Sequence, residues 1–282
     1  MKNIKIYAFA DEASANVDHQ IEAMKRNGLK GLEIRNVDGT NVSDITLEKA
    51  AEVRRKLEAN GLSVWSVGSP IGKTDIDGNF DADIEKFKHT LEIAHALNSE
   101  NIRIFSFYIP HGKDAAEYKN KVIDRLGQFS EIAVGSGVTL CHENEKGIYG
   151  DTAERCLDIL SALPEIKGIF DPANFVQCGV DTLKAWDMLG KHIKYMHIKD
   201  AMTDGSVVPA GFGDGNVREI VRMYVENGGT AFTLEPHLAV FDGLSGLERE
   251  GEESKVKNFV YKSNDEAFDA ACAALRKITE EN

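Results

Sequence analysis

Short apolar segments alternate with longer amphipathic segments along almost the whole chain. The short segments are rich in β-branched and aromatic residues, as buried strands are, and the longer ones repeat apolar residues at helical spacing. Eight strands alternating with eight helices favour a closed (β/α)8 barrel over an open sheet. The predicted strands are Ile4–Ala10, Gly31–Arg35, Ser63–Gly68, Asn101–Phe107, Val138–Glu143, Gly168–Asp171, Tyr195–Ile198 and Ala231–Glu235. The predicted helices cover about 14–27, 46–60, 81–97, 114–135, 151–162, 181–190, 216–227 and 264–280.

Glycine and proline mark opposite ends of the predicted strands. Glycines such as Gly28 and Gly61 stand where a helix ends and a strand follows, because glycine readily adopts the left-handed cap conformation. Four prolines instead come just after strands: Pro70, Pro110, Pro172 and Pro236. Two of the loops after strands, 199–215 and 236–263, are long enough to act as binding loops. No linker interrupts the pattern, so residues 1–282 are expected to form a single α/β barrel domain.

Composition and charge narrow the class of protein. The chain has 282 residues, of which 42% are hydrophobic and 28% charged, values typical of a globular protein. A net charge of −13 argues against a nucleic-acid partner, which would require clustered Lys and Arg. The negative charge favours a neutral or cationic small molecule, or a bound metal ion, as the partner.

The cysteines and the N-terminal segment indicate the cellular compartment in which the protein is expected. The four cysteines are widely spaced and form no CxxC pair, which predicts neither a disulfide framework nor a zinc knuckle and favours a reducing compartment. The N-terminal segment has the pattern of a first strand, and no run approaches the ~20 apolar residues of a membrane span. The expected location is therefore the cytoplasm, with no membrane partner.

Polar side chains end four consecutive strands, where buried parallel strands should be apolar. Strand 5 ends in Glu143, strand 6 in Asp171, strand 7 contains His197 and strand 8 ends in Glu235. Neighbouring strands would place these groups on one arc at the mouth of the barrel, where barrel enzymes carry their chemistry. Three adjacent carboxylates repel one another unless a cation lies among them. The set predicts one bound divalent ion: Mn²⁺, Mg²⁺, Co²⁺ or Zn²⁺.

Each of these residues has a simpler explanation when taken alone. A single histidine near a strand end is more often a hydrogen-bonded structural group, and a single glutamate often pairs with a loop lysine. Four such residues on consecutive strands favour the metal site. His142 is expected to be structural, because strand alternation points it away from Glu143.

Five motifs carry a family resemblance that covers nearly the whole chain. They are His142-Glu143-Asn144, Phe170-Asp171-Pro172-Ala173-Asn174, His197-Ile198-Lys199-Asp200, Pro209 to Gly215, and Leu234-Glu235-Pro236-His237. The chain resembles the sugar-phosphate isomerase/epimerase superfamily of xylose-isomerase-like TIM barrels, which includes ketose 3-epimerases and inosose dehydratases. The resemblance implies that Glu143, Asp171, His197 and Glu235 bind one divalent ion, often Mn²⁺. It also implies that the two glutamates act as acid/base groups.

The chain departs from the epimerase pattern at three substrate-contacting positions. Asn174 stands where those enzymes have histidine, Tyr149 where they have glutamate, and Thr203 where they have arginine. The metal ligands of the pattern are present, whereas the substrate contacts differ. The fold and the metal site therefore follow from the resemblance more firmly than the particular reaction does.

The predicted function is a metal-dependent isomerase or epimerase that acts on a ketose or a related sugar, phosphorylated or not. Glu143 and Glu235, on opposite sides of the substrate, would exchange a proton through an enediolate. A lyase that dehydrates an inosose or keto-sugar stays open, as does a non-catalytic sugar-binding protein. A DNA-repair endonuclease is disfavoured by the acidic charge. Self-association into a homo-oligomer is left open.

Other polar residues near strand ends are candidate substrate contacts. They are Asn174, Lys199, His237, His111 and Glu33. Pairing with Arg35 is an equally good explanation of Glu33. Asp200 is expected to orient one of the metal-binding side chains by contacting it, without contacting the metal ion itself. The glycine-rich stretch 211–215 is interpreted as a flexible turn rather than a phosphate cradle, since it contains no Lys or Arg.

Overall fold

Eight parallel strands close into a barrel in chain order, as predicted. The computed structural model describes residues 4–244, 255–256 and 261–281, and within them each barrel strand pairs with its sequence neighbours and the first pairs with the last. The strands are β1 Lys5–Ala8, β2 Gly31–Ile34, β3 Ser63–Val67, β4 Asn101–Ile104, β5 Thr139–Glu143, β6 Lys167–Phe170, β7 Ile193–Ile198 and β8 Ala231–Leu234. The predicted (β/α)8 barrel is therefore confirmed.

Helices surround the barrel at nearly the predicted bounds. The helices in the described residues are α1 Val17–Arg26, α2 Leu47–Ala59, α3 Phe80–Leu97, α4 Lys119–Ala133, α5 Ala153–Ala162, α6 Pro172–Gln177, α7 Thr182–Leu189, α8 Val217–Glu226 and α9 Asn264–Glu281. The sequence pattern did not predict α6, which is too short to show a helical period. Asp171 caps α6, with Pro172 at the first helical position.

The interior of the barrel is packed with aromatic side chains below the mouth. Tyr7, Cys141, Ile169 and Tyr195 form a separate buried cluster there, and Trp65 packs against it. The indole of Trp65 stacks on Tyr7 at a centroid distance of 5.0 Å and meets Tyr195 edge-on at 5.7 Å. Trp65 is therefore a packing residue in the barrel.

A close approach between β2 and β3 positions the polar residues of β2. A Cβ atom at Gly31 would lie 2.0 Å from the carbonyl oxygen of Ser63, so only glycine fits at this crossing. The pairing register shifts between Leu32 and Glu33. Beyond the shift, Glu33 is completely buried.

Two short β-hairpins lie in the loops that follow β2 and β7. Asn36–Val37 pairs with Thr40–Asn41, and Asp200–Ala201 pairs with Val207–Val208. Half of the second long loop predicted from sequence, residues 245–254 and 257–260, lies outside the described residues. Among the described helices, none combines the length and the apolar character that a membrane crossing demands.

Candidate metal centre

Four side chains from the last four barrel strands converge at the mouth of the barrel. They are Glu143 at the end of β5, Asp171 just after β6, His197 on β7 and Glu235 just after β8. Each offers one ligand atom, and these atoms all lie within 4.8 Å of one another. All four residues are buried. Neighbouring parallel strands end at the same edge, and this edge therefore assembles the four groups. They are called the ligand cluster below.

The imidazole of His197 is held from both sides. Its Nδ1 lies 2.8 Å from Glu143 Oε1 and 3.3 Å from Glu235 Oε2, so this nitrogen faces the ligand cluster. Its Nε2 lies 3.0 Å from Glu33 Oε2. The hydroxyl of Tyr195 donates to Glu33 Oε1 at 2.9 Å. Glu33 therefore lies behind His197, in the position that fixes the ring orientation of a metal-binding histidine.

Charge in the cluster explains the protonation of His197 in the metal-free chain. Burial works to lower the pKa of His197, but the carboxylates of Glu143 and Glu33 outweigh burial and raise the pKa well above its usual value. The imidazolium is one of the cations that balance the buried carboxylates. A metal ion at Nδ1 would take over that role, because a ligating imidazole must be neutral at that nitrogen.

Each glutamate of the ligand cluster is also paired with a buried arginine. Arg103 Nη1 donates to Glu143 Oε2 at 3.1 Å, and Arg35 Nη1 donates to Glu235 Oε1 at 3.3 Å. The ring of Phe9 lies near both guanidinium groups, at 4.4 Å from Arg35 Cζ and 5.0 Å from Arg103 Cζ. One oxygen of each glutamate thus faces the cluster, while the other is held by an arginine.

The ammonium group of Lys199 bridges the remaining carboxylates. Lys199 Nζ lies 3.0 Å from Asp171 Oδ2 and 3.3 Å from Glu235 Oε2. Burial raises the pKa of Asp171 to about 7, although Lys199 works in the opposite direction. Burial also works to raise the pKa of Glu235, but Lys199 and the neighbouring imidazoles hold it well below its usual value.

The donor set fits a divalent cation. Asp171 Oδ1 accepts the backbone N–H of Asn174, whereas Oδ2 is buried and lies 3.0 Å from the ammonium group of Lys199. Three carboxylates and one imidazole can supply the oxygen-rich coordination that divalent ions such as Mn²⁺ and Mg²⁺ favour. An ion bound by these four residues would add positive charge among three buried carboxylates, which the ligand atoms lie close enough together to share.

The other residues predicted from sequence lie at different distances from the cluster. Asn174 Nδ2 donates to Asn144 O at 2.9 Å and approaches Glu143 Oε1 at 3.4 Å, so it borders the cluster. His237 Nδ1 lies 3.5 Å from Glu235 Oε1. His111 is exposed and lines a separate surface cavity of about 350 Å³ beside Asp151 and Arg155. The structure thus brings Asn174, Lys199, Glu33 and His237 to the ligand cluster but leaves His111 outside it.

Asp200 holds the glycine-rich loop 211–215 in place, and does not orient a metal-binding side chain as the sequence suggested. Its Oδ1 accepts the N–H groups of Ala201 and Gly215, and its Oδ2 accepts those of Gly211 and Gly213, at distances of 2.9–3.0 Å. A Cβ atom at Gly213 would lie 2.4 Å from Asp200 Oδ1. These N–H groups therefore already hold a carboxylate of the chain itself, and the loop is an ordered turn rather than a phosphate cradle.

Sequence reasoning missed three buried residues around the cluster: Arg35, Arg103 and Glu12. It assigned Arg35 only as an alternative partner of Glu33, whereas Arg35 pairs with Asp11, Glu12 and Glu235. Burial raises the pKa of Glu12 to about 8. Arg35 and Arg103 could have been found from the sequence, because each is a charged residue within or next to an apolar strand. The two segments are Glu33-Ile34-Arg35 and Ile102-Arg103-Ile104.

His142 lies on the outer side of β5, away from the cluster, and makes stability depend on pH. Its Nε2 lies 2.9 Å from Ser106 Oγ, and burial lowers its pKa from 6.5 to about 3. Between these two pH values the imidazole of His142 is therefore protonated in the unfolded chain but neutral in the folded chain. This contribution to stability is complete above about pH 6.5 and falls as pH drops towards 3, by up to about 1.4 kcal/mol per pH unit.

The expected result is that His142→Gln has a shallower acid dependence than the wild type. Urea unfolding of both proteins at several pH values between about 6.5 and 4.5 measures the difference in slope. Parallel slopes would contradict the buried neutral imidazole. Glutamine retains a partner for Ser106, so the comparison isolates the titration.

The fold and the cluster define a (β/α)8 barrel with a carboxylate–imidazole site at its mouth. The family model for xylose isomerase-like TIM barrels matches residues 21–258, and the chain belongs to this family. No functionally curated protein matches the chain in sequence.

Solved structures share the fold over almost the whole chain at low sequence identity. The IolI protein with a bound zinc atom has a TM-score of 0.75 and 16% identity, covering 99% of each chain. The probable 3-DHS dehydratase AsbF of Bacillus anthracis has a TM-score of 0.73 and 16% identity, covering 99% of this chain and 100% of its own. D-psicose 3-epimerase of Clostridium cellulolyticum H10, with D-tagatose, has a TM-score of 0.72 and 15% identity, covering 98% and 99%. At these identities the likeness shows the fold alone.

Proposed function

We propose that the protein is a divalent-metal-dependent isomerase or epimerase of a ketose or related sugar, acting through an enediolate. The observation that carries the proposal is the arrangement of Glu143 and Glu235. Each has one oxygen facing the ligand cluster and the other held by a buried arginine. Two positioned carboxylates on different sides of one site are what proton exchange at a carbon requires.

The proposed reaction assigns a separate task to each glutamate. A bound divalent ion would supply Lewis-acid stabilisation of the negative charge that develops on the substrate oxygens. Glu143 removes the proton next to the carbonyl, and Glu235 delivers a proton to the opposite face, which inverts that carbon. In the reverse direction the two glutamates exchange roles. Delivery to the adjacent carbon instead gives aldose–ketose isomerisation.

The buried cations hold the two carboxylates in place for this task. Arg103 and Arg35 each bind one oxygen, which restricts rotation of the carboxylate and leaves the other oxygen directed at the cluster. Asn174 and Lys199 border the same space and are proposed to bind substrate oxygens. Because all these groups are buried, water competes little with the substrate for them.

The proposed metal is Mn²⁺, with Mg²⁺, Co²⁺ and Zn²⁺ as alternatives. Three carboxylates and one imidazole favour ions that accept oxygen ligands. The zinc atom bound by the IolI protein supports a divalent ion in a barrel of this fold. The substrate is proposed to be a carbohydrate and the compartment the cytoplasm.

Dehydration is the second candidate, and the position of Lys199 favours it. Its ammonium group lies within 3.3 Å of both Asp171 and Glu235, where it could protonate a departing hydroxyl group. The structural likeness to a probable 3-DHS dehydratase gives this reaction a precedent on the same fold. An elimination would yield an unsaturated ketone, whereas epimerisation and isomerisation retain every oxygen of the sugar.

Proton exchange in D₂O tests the proposal directly. The Mn²⁺-loaded protein is incubated with D-psicose, D-tagatose, other ketoses and an inosose, and the products are followed by NMR. The expected result is deuterium at one carbon next to the carbonyl, together with an epimer or isomer. Ultraviolet absorption of an unsaturated ketone would identify the dehydratase instead.

Metal removal provides the control for this experiment. Chelation is expected to abolish exchange, and added Mn²⁺ is expected to restore it. Sugar affinity that is unchanged in metal-free protein, without turnover under any condition, would overturn the proposal in favour of a simple sugar-binding protein.

A further inference from the structure

A second buried polar cluster adjoins the ligand cluster on the other side of Glu235. Glu12 Oε1, Glu235 Oε1 and His237 Nδ1 belong to a group whose ligand atoms lie within 4.8 Å of one another. Glu235 Oε2 faces His197 and Lys199, so the two oxygens of one carboxylate face two different sites. Glu12, Glu235 and His237 are each about 5% exposed or less.

His237 provides the sign that this second cluster takes a ligand. Its Nδ1 is buried and has no hydrogen-bond partner in the described part of the chain. The nearest carboxylate oxygens, Glu12 Oε1 at 3.6 Å and Glu235 Oε1 at 3.5 Å, are too far for a good hydrogen bond. A buried imidazole nitrogen without a partner costs free energy, which a ligand between the three atoms would recover.

The local backbone holds His237 in this position. Its φ of 45° is unusual for a residue other than glycine, and its N–H donates to Glu12 Oε2 at 2.6 Å. The ring of Phe241 contacts the imidazole at a centroid distance of 5.5 Å. The ring of His237 is therefore fixed beside Glu12 and Glu235.

The charge in this cluster favours a neutral ligand over a second metal ion. Arg35 Nη2 lies 3.2 Å from Glu12 Oε1, and Arg35 Nη1 lies 3.3 Å from Glu235 Oε1. The guanidinium is permanently charged and buried, so it already neutralises the two oxygens that a cation would need. A divalent ion among them would be repelled by Arg35 at close range.

We propose that Glu12, His237 and the outer oxygen of Glu235 form a subsite that binds a hydroxyl group of the substrate. This subsite rests on the proposed function and extends it, because it lies one carboxylate away from the ligand cluster. A hydroxyl group both donates and accepts, so it can bond a carboxylate oxygen and the imidazole nitrogen together. The substrate must then carry a hydroxyl beyond the carbonyl and hydroxyl oxygens directed to the metal ion. Polyhydroxylated ketones meet this requirement, and hydroxyacetone does not.

Binding measurements with two ketones test the subsite without relying on turnover. Calorimetry compares D-psicose with hydroxyacetone on Mn²⁺-loaded wild type, Glu12→Gln and His237→Leu. The expected result is a loss of about ten-fold or more in affinity for D-psicose in both variants, since a buried group of the subsite is left without its partner. Affinity for hydroxyacetone is expected to change less than about two-fold, because it lacks the group that the subsite binds. Glu165→Gln, just before β6 at the opposite end of the barrel, is the control and should match the wild type for both ketones.

The outcomes separate failure of the subsite from failure of the proposed function. Equal losses for the two ketones, or no loss for either, would overturn the subsite. Two equivalents of Mn²⁺ bound per chain, falling to one in His237→Leu, would also overturn it by showing a second cation there. D-psicose that binds wild type but exchanges no proton would defeat the proposed reaction, while a selective loss of its affinity in the variants would still support the subsite. D-psicose that does not bind the wild type would overturn both.

Discussion

Replacement of Glu235 by glutamine is expected to lower the rate of proton exchange by about 10²–10⁴-fold. The amide has nearly the size of the carboxylate and still offers an oxygen, but it cannot accept and return a proton at neutral pH. Exchange of deuterium into the ketose, followed by NMR on the Mn²⁺-saturated protein, measures the effect. Glu143→Gln is expected to behave in the same way, because its carboxylate occupies the corresponding position beside Arg103.

Metal content must be measured alongside this loss of exchange. Glu235 is also a proposed ligand, so each variant is assayed at a Mn²⁺ concentration that saturates it, with bound metal determined separately. Glu165→Gln serves as the matched control for a glutamate-to-glutamine change. Turnover within a few-fold of wild type in a metal-saturated Glu235→Gln protein would reject its role as an acid/base group.

Replacement of Arg35 by leucine is expected to destabilise the metal-free fold by about 3–5 kcal/mol. Arg35 donates to Asp11, Glu12 and Glu235, and its side chain is almost completely buried. Leucine removes the cation and leaves carboxylates buried without compensation. Urea unfolding of the metal-free protein at neutral pH measures the change in the free energy of unfolding.

An exposed arginine provides the comparison for this substitution. Arg54 on α2 donates to Glu58 at 2.7 Å, and both side chains are well exposed to water. Arg54→Leu is therefore expected to cost about 1 kcal/mol or less. If Arg35→Leu destabilised the protein no more than Arg54→Leu, the buried ion-pair network would not contribute to stability as the contacts indicate.

Most of the fold could be predicted from the sequence, because strands and helices leave local patterns of apolar and polar residues in the chain. The bounds of each barrel strand and of all the long helices were predicted to within a few residues. Apolar periodicity and glycine caps both depend on neighbouring residues, so they indicate where an element begins and ends. The closed barrel is confirmed. The meeting of Glu143, Asp171, His197 and Glu235 also follows from strand order alone, because consecutive parallel strands end at the same edge.

Contacts across the barrel could not be predicted in the same way. Glu33 lies behind His197 rather than beside Arg35, and Arg35 reaches Glu235 across the closure of the barrel. Such pairs depend on which way a long side chain turns inside a closed structure, and sequence spacing carries no information about that. His111 differs from these residues, because its place after β4 suggested the mouth, whereas the structure places it exposed beside a separate cavity.

All four residues of the ligand cluster come from the second half of the barrel, β5 to β8. A divalent ion held there would bind the folded chain and not the unfolded one, so its binding free energy would stabilise the fold by joining strands β5 to β8 directly. The first four strands contribute supporting arginines and Glu33 but no ligand. The ion would thus tie the two halves of one closed barrel unequally, because it would contact the second half directly and the first half only through the side chains that support its ligands.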